Sequence, residues 1–434
     1  MKKSKLATAF IACISISPLI HATPLNMELN TQVQKETYNN DLFTYETSRS
    51  SSISESPVYL KLVNDPNVIS VQQVNINTSA IDGASSTLNL NLGPGMTFTA
   101  KNSESYWLSS KYQAWTGYIE TGVNSTLQPG EKKLNLNHIN LVKNNNRVRG
   151  QFNIGDRNFE IRTTEEGAYI LTELNYLNLL EEDLPNDMTQ LKGEEETSSR
   201  VSSELSPSAT SATIRIMQIA TPEAVSAEGG QNSMLDRMYS HLSITNQIYA
   251  NNGLSITVQN AGMYNTGTSE LSNFNSNLTG LVNTSDGYLD DFAGYIRDVQ
   301  GADVVALIAH GPSSGLCGRA SAIKASASNA FFIMSTGLSC EYTKSFTHEL
   351  GHLFGARHDA AHDSSTSPYA YGHGYVNTGA GIRSIMATNS NPGTRILMLS
   401  TDDQTYSGAT IGTAALEDNE RVHDVRKSVM AGFR

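Results

Sequence analysis

The chain has 434 residues, with 42 acidic against 30 basic side chains and a formal charge of −12. That length predicts two folded units rather than one. The acidic excess argues against nucleic acid or anionic lipid as a partner.

Residues 1–22, MKKSKLATAFIACISISPLIHA, place Lys2, Lys3 and Lys5 ahead of an apolar run from Leu6 to Ile20, with a cleavage point after Ala22. This is the pattern of a secretory signal peptide, and the run is shorter than the roughly 20 residues a spanning helix needs. The protein is therefore expected to be secreted and extracellular, with no membrane segment after leader removal. Cys13 follows Phe-Ile-Ala, a poor lipoprotein-processing site. Loss of the leader removes three lysines and no acid, so the charge becomes −12 − 3 = −15. Two cysteines then remain, Cys317 and Cys340. Export to an oxidising compartment predicts that they close as one disulfide, the alternative being two buried free thiols.

From 23 to about 190 the chain is rich in Asn, Ser and Thr. Short alternating stretches, TLNLNLGPGMTFTA (87–100), YQAWTGYIET (112–121) and NFEIRTTEEGAYILTEL (158–174), read as strands joined by Gly and Asn turns. Residues 191–212 have almost no large apolar side chains and read as an exposed, protease-sensitive linker. Beyond it the pattern alternates. Strands are predicted over 214–221, 254–261, 302–310 and 331–335, and helices over 233–253 and 288–301. Such alternation predicts an α/β (α+β) second half with a mixed twisted sheet.

HELGHLFGARHD, residues 348–359, contains the chemistry. On a helix, positions i and i+4 differ by about 40° and 6 Å, so His348 and His352 present two imidazoles on one face, with Glu349 on the flank. Gly355 can take a positive φ, end the helix and return His358 to the same point. Three histidines then hold one catalytic Zn2+, and Glu349 is left to act as the general base. HExxH alone is a weak signal; the glycine and the third histidine give it specificity.

HExxHxxGxxHD resembles the zinc signature of the metzincin metallopeptidases, and Asp359 after the third histidine resembles their reprolysin-like branch. SIMAT (384–388) resembles the Met-turn of those proteins, with Met386 beneath the metal. Together with YGHGYV (371–376) and the tail TYSGATIGTAALEDNERVHDVRK, the likeness is nearest to the bacterial peptidyl-Asp metalloendopeptidases. It covers the second half well and the first half loosely. Many metzincins carry a tyrosine two residues after the turn methionine, where this chain has Thr388, so no such tyrosine role is expected.

The resemblance implies a metzincin-like catalytic domain (213–434) with an active-site helix, behind a β-rich propeptide domain (23–190) and a maturation region (191–212). It also implies protein or peptide substrates cut on the amino side of aspartate, which requires a cation in the pocket beyond the scissile bond. Arg383 and Arg395 flank the Met-turn and are the candidates, unless both face solvent. Asp359 is expected to orient the site by hydrogen bonds. His362 and His373 read as surface or loop histidines, and His310 as structural. An edge strand of the sheet is expected to pair with extended substrates, and a monomer is expected. Two rivals differ in class. One is a secreted binding or adhesion protein with a structural zinc, against which Glu349 argues. The other is an enzyme that keeps its first half as an exosite domain.

Overall fold

The period of two in TLNLN is realised directly: Leu88 and Leu90 are buried, while the Thr and Asn residues between them are half exposed. The computed structural model describes residues 40–45, 53, 56–93, 95–121, 137–175, 180, 210–311, 315–342 and 344–434. The expected leader and residues 191–209 of the expected linker lie outside them.

In the first half, β1 (Phe43–Tyr45), α1 (Pro57–Val63), β2 (Val68–Ile76), β3 (Thr87–Asn91), β4 (Thr97–Trp107), β5 (Gln113–Glu120), β6 (His138–Asn144), β7 (Arg147–Ile154), β8 (Arg157–Thr163) and β9 (Tyr169–Leu174) follow in order. The strands form one sheet in the order β1-β2-β9-β8-β7-β6-β5-β4-β3. Its ends meet, because Leu42 N donates to Asn89 O at 2.8 Å and Asn89 N to Asn40 O at 2.7 Å. The sheet thus closes into a barrel filled by Leu88, Leu90, Trp115, Leu141, Phe152 and Ile161. Closure removes the exposed edges that an open sheet would present.

The second half contains β10 (Ala212–Ala220), α2 (Pro222–Glu228), α3 (Gln231–Asn251), β11 (Ile256–Asn265), α4 (Phe274–Val282), α5 (Arg297–Gln300), β12 (Val304–Ala309), β13 (Gly318–Ala320), β14 (Phe331–Ser335), α6 (Leu338–Tyr342), α7 (Ser345–Phe354) and α8 (Asn419–Met430). Its sheet runs β11-β10-β12-β14-β13, parallel except for the antiparallel edge strand β13. Every residue of β12 is buried, as a central parallel strand covered on both faces requires. One face packs on α3, α7 and α8, the other on α4 and the segment leading into α5.

All the predicted strands and helices of this half form, but the helix expected over 288–301 contains a π-helical turn at Phe292–Ile296 before α5. The mixed sheet is as expected. The short strand β13 and the helices α2, α4, α6 and α8 were not anticipated. Cys317 and Cys340 form the expected disulfide, which ties the start of β13 to α6. Among the described residues, no helix is long and apolar enough to cross a membrane.

The two halves keep separate cores within one compact unit, Asn39–Arg434. Their interface is polar as well as apolar. Tyr112 stacks on Tyr239 with centroids 3.8 Å apart and donates to Asp236 Oδ1 at 2.8 Å. Next to this contact, Arg149 of β7 enters a fully buried cluster with Glu160, Glu228 and Glu341, joined by Arg162 and Arg237.

Candidate active site

Helix α7 is built from two sets of residues. Phe346, Leu350, Leu353 and Phe354 turn into the core below the sheet, and His348 and His352 turn the other way, one helical turn apart. Gly355 ends the helix with φ +114°, and Ala356 N bonds back to Gly351 O at 3.0 Å. This glycine-ended turn is what returns His358 to the first two histidines.

The three Nε2 atoms lie 3.0–3.2 Å from one another. Backbone carbonyls accept from two of the opposite ring nitrogens: Ile385 O from His348 Nδ1 and Ala356 O from His352 Nδ1, both at 2.9 Å. With the proton held on Nδ1, each of these Nε2 atoms presents a lone pair. Burial, reinforced by His352 and Arg395, pushes the pKa of His348 well below the usual imidazole range, so it stays neutral. Converging lone pairs repel unless a cation sits between them, and metal–nitrogen bonds of about 2.0–2.1 Å in tetrahedral geometry match this spacing. The donor set therefore fits a metal ion, and His348, His352 and His358 are the only metal-competent cluster of this kind among the described residues.

Glu349 is fully buried on the flank of α7, against Gly318 of β13. A Cβ at position 318 would lie 2.5 Å from Glu349 Oε1, so this edge-strand position is closed to larger residues while the carboxylate stands there.

The 385–388 turn braces the site residue by residue. Ile385 orients His348. Met386 is buried beneath α7, so close that a Cβ on Gly351 would come within 2.5 Å of its Sδ. Ala387 O accepts from Arg395 Nη2. Thr388 donates from its backbone N to Asp359 Oδ2 at 3.1 Å. Asp359 also accepts from Asn391 Nδ2 at 2.7 Å and meets His362 Nδ1 at 2.8 Å. Asp359 thus links the chain just after the third histidine to the exit of the turn, where Thr388 anchors it.

Other expectations need correction. His373 is not a surface histidine: it is 1% exposed, and its Nδ1 lies 2.8 Å from His358 O, bracing the backbone of the third histidine. His362 is exposed, as expected. His310 is exposed too, its Nδ1 3.2 Å from Thr336 Oγ1. Arg383 and Arg395 do not face solvent, being 3% and 6% exposed. Arg383 donates to Asn391 O at 2.6 Å, Gly393 O at 3.0 Å and Asn389 Oδ1 at 3.0 Å, so it braces the loop after the turn. Sequence reasoning passed over Gly351, whose one signal is its place inside HELGH, and it gave neither His373 nor Thr388 a bracing task.

Two histidines on a helix under a mixed sheet, a third returned by the glycine turn, a flanking glutamate and a methionine turn below define a metallopeptidase catalytic domain. Residues 210–400 match the metallo-peptidase family M12, in its reprolysin-like form. A peptidyl-Asp metalloendopeptidase of Stenotrophomonas maltophilia is 33% identical over 445 aligned residues, covering 99% of this chain and 98% of its own. One from Xanthomonas campestris pv. campestris is 31% identical over 399, covering 89% and 91%. Among solved structures, metalloproteinase-II from Bacteroides fragilis aligns at 14% identity and a TM-score of 0.38, covering 63% of this chain and 81% of that one. The chain belongs to the reprolysin-like metallopeptidases of family M12, in the group of the bacterial peptidyl-Asp metalloendopeptidases. Its enzyme class is that of the zinc metalloendopeptidases, hydrolases that act on peptide or protein substrates.

Proposed function

We propose that the chain is a secreted zinc endopeptidase made as a zymogen, with residues 23–190 as propeptide and 191–212 as the region cut on maturation. In this reading Glu349 is the general base, and cleavage falls on the amino side of aspartate. The observation that carries it is the convergence of three buried Nε2 atoms beside a buried glutamate. A structural zinc closes all four positions with protein ligands, whereas this site offers three imidazoles and a carboxylate set to one side. The adhesion alternative has no such support.

Held by His348, His352 and His358, a zinc ion would supply the Lewis acidity that peptide hydrolysis by water needs. Glu349 takes the proton of the attacking water and delivers it to the leaving amine nitrogen, with no covalent bond between chain and substrate. The edge strand β13 offers its backbone to an extended peptide, giving recognition independent of side chains. Aspartate specificity is supported by the relatives' names and by the buried cation Arg395 next to the Met-turn.

Latency cannot rest on a propeptide thiolate, because residues 23–212 contain no cysteine. Steric filling of the cleft is supported by Leu180, whose carbonyl accepts from Asn389 Nδ2 at 2.6 Å, three residues past the turn methionine. The decisive experiment is Glu349→Ala in the full chain, with metal content and peptide cleavage measured together. Metal content should stay at the wild-type level while kcat/KM falls by about 100-fold or more. Near-normal cleavage would remove Glu349 from its role.

A further inference from the structure

Lys344 stands one helical turn ahead of His348, where the chain enters α7 with φ +65°. The His348 N–H donates to the Lys344 carbonyl at 3.1 Å, so the lysine sits at the start of the same helical turn that leads to the first histidine. It is 5% exposed, a rare state for a lysine unless its charge has work to do. Its Nζ donates to Oε1 of Gln151, on β7 of the barrel. The charges that act on it are Glu341, Arg395 and Glu160. Both carboxylates of that set are already held by guanidinium groups, Glu341 by Arg149 and Glu160 by Arg162. Arg395, from the far side of the Met-turn, acts on Lys344 and on His348 alike. Lys344 thus carries a buried amine one turn ahead of the first histidine, and the barrel meets it with a neutral amide oxygen.

We propose that Lys344 is the specificity-determining residue that receives the aspartate carboxylate following the scissile bond, and that Gln151 of the barrel holds this place in the uncleaved chain. The inference rests on the reading of the enzyme as an aspartate-directed zymogen. An amide oxygen is the neutral counterpart of a carboxylate oxygen, so Gln151 occupies the acceptor position without the affinity a charged ligand would have. That difference suits a plug that has to leave. Burial pushes the ammonium pKa down to about 7, so an arriving carboxylate would also restore its full charge.

The test uses the full-length chain, expressed and allowed to mature, and profiled on peptides that vary only in the residue after the cut. Wild type should prefer Asp. Lys344→Met should lose about 10- to 100-fold in kcat/KM on the Asp peptide while changing little on the Asn peptide, and Lys344→Arg should restore an acidic preference. Full Asp preference in Lys344→Met overturns the assignment while leaving the aspartate reading intact. A wild type indifferent to Asp overturns the aspartate reading, and the assignment with it. Should Lys344→Met fail to fold, Gln151→Glu in the uncleaved chain decides: a raised unfolding midpoint and slower maturation than wild type support a carboxylate-binding pocket, and a lowered midpoint refutes it.

Discussion

Replacing Arg149 by methionine removes the central cation of the buried interface cluster and nothing of comparable volume. The guanidinium donates from Nε to Glu341 Oε1 at 2.8 Å, bonds Glu228 through Nη1, and stands 3.0 Å from Glu160 Oε1. The cluster holds three carboxylates and three guanidiniums, Arg149, Arg162 and Arg237, so it is neutral. The barrel contributes Arg149, Arg162 and Glu160, and the catalytic half Arg237, Glu228 and Glu341; one net positive therefore meets one net negative across the interface. Arg149→Met leaves three buried carboxylates against two cations, a situation that costs about 3–5 kcal/mol. Arg157→Met is the control: its pair with Glu173 is 43% exposed on the arginine side, and its loss should cost less than about 1 kcal/mol. Urea unfolding of the full chain measures both, and both tryptophans, Trp107 and Trp115, lie on barrel strands and report on that half. The pH dependence has a definite sign. Burial raises the pKa of Glu228, but Arg149, Arg237 and Arg162 outweigh it and hold it at about 2; Glu341 is likewise depressed. Folded pKa values below the unfolded ones contribute stability above about pH 4.5, which is lost as pH falls toward 2. Burial shifts Glu160 the opposite way, which offsets part of this slope. A cost under 1 kcal/mol for Arg149→Met would refute the view that this cluster holds the halves together.

Gly351→Ala should destabilise the chain by about 1–3 kcal/mol and weaken metal retention, because its methyl would meet Met386 Sδ at 2.5 Å; thermal unfolding with and without chelator checks both. Asp359→Asn keeps the shape but sets an amide against the donors of Thr388 and Asn391, and metal affinity should fall by about 10- to 100-fold in competition with a chromogenic chelator. Mercurial reagents should fail to activate the uncleaved chain through a propeptide thiol, since residues 23–212 have none; activation traced to such a thiol would contradict the reading of the first half.

The histidine cluster was legible in the sequence because every part of it is local. His348, Glu349 and His352 share one helix, Gly355 ends it through its own φ, and His358 follows three residues later, so spacing alone brings the imidazoles together. Strongly periodic strands such as Thr87–Asn91, and wholly apolar ones such as Val304–Ala309, were legible for the same reason. Elements of three to five residues, β13 and α6 among them, carry too few positions for a period and form only against their neighbours. The contacts of His373 with His358, Thr388 with Asp359 and Lys344 with Gln151 span 15, 29 and 193 residues, whereas Arg383 and Arg395 bond groups only six to ten residues away and are nonetheless buried by the fold around them. A buried arginine and an exposed one look alike in sequence, since burial of a charge is decided by which partners the fold delivers to it. Barrel closure at Asn89 and the meeting of Arg149 with Glu341, 192 residues away, are of that kind. Local geometry wrote the candidate metal site into twelve residues, whereas the side chains and carbonyls that brace it, from Ile385, Thr388 and His373, are brought to it only by the tertiary fold.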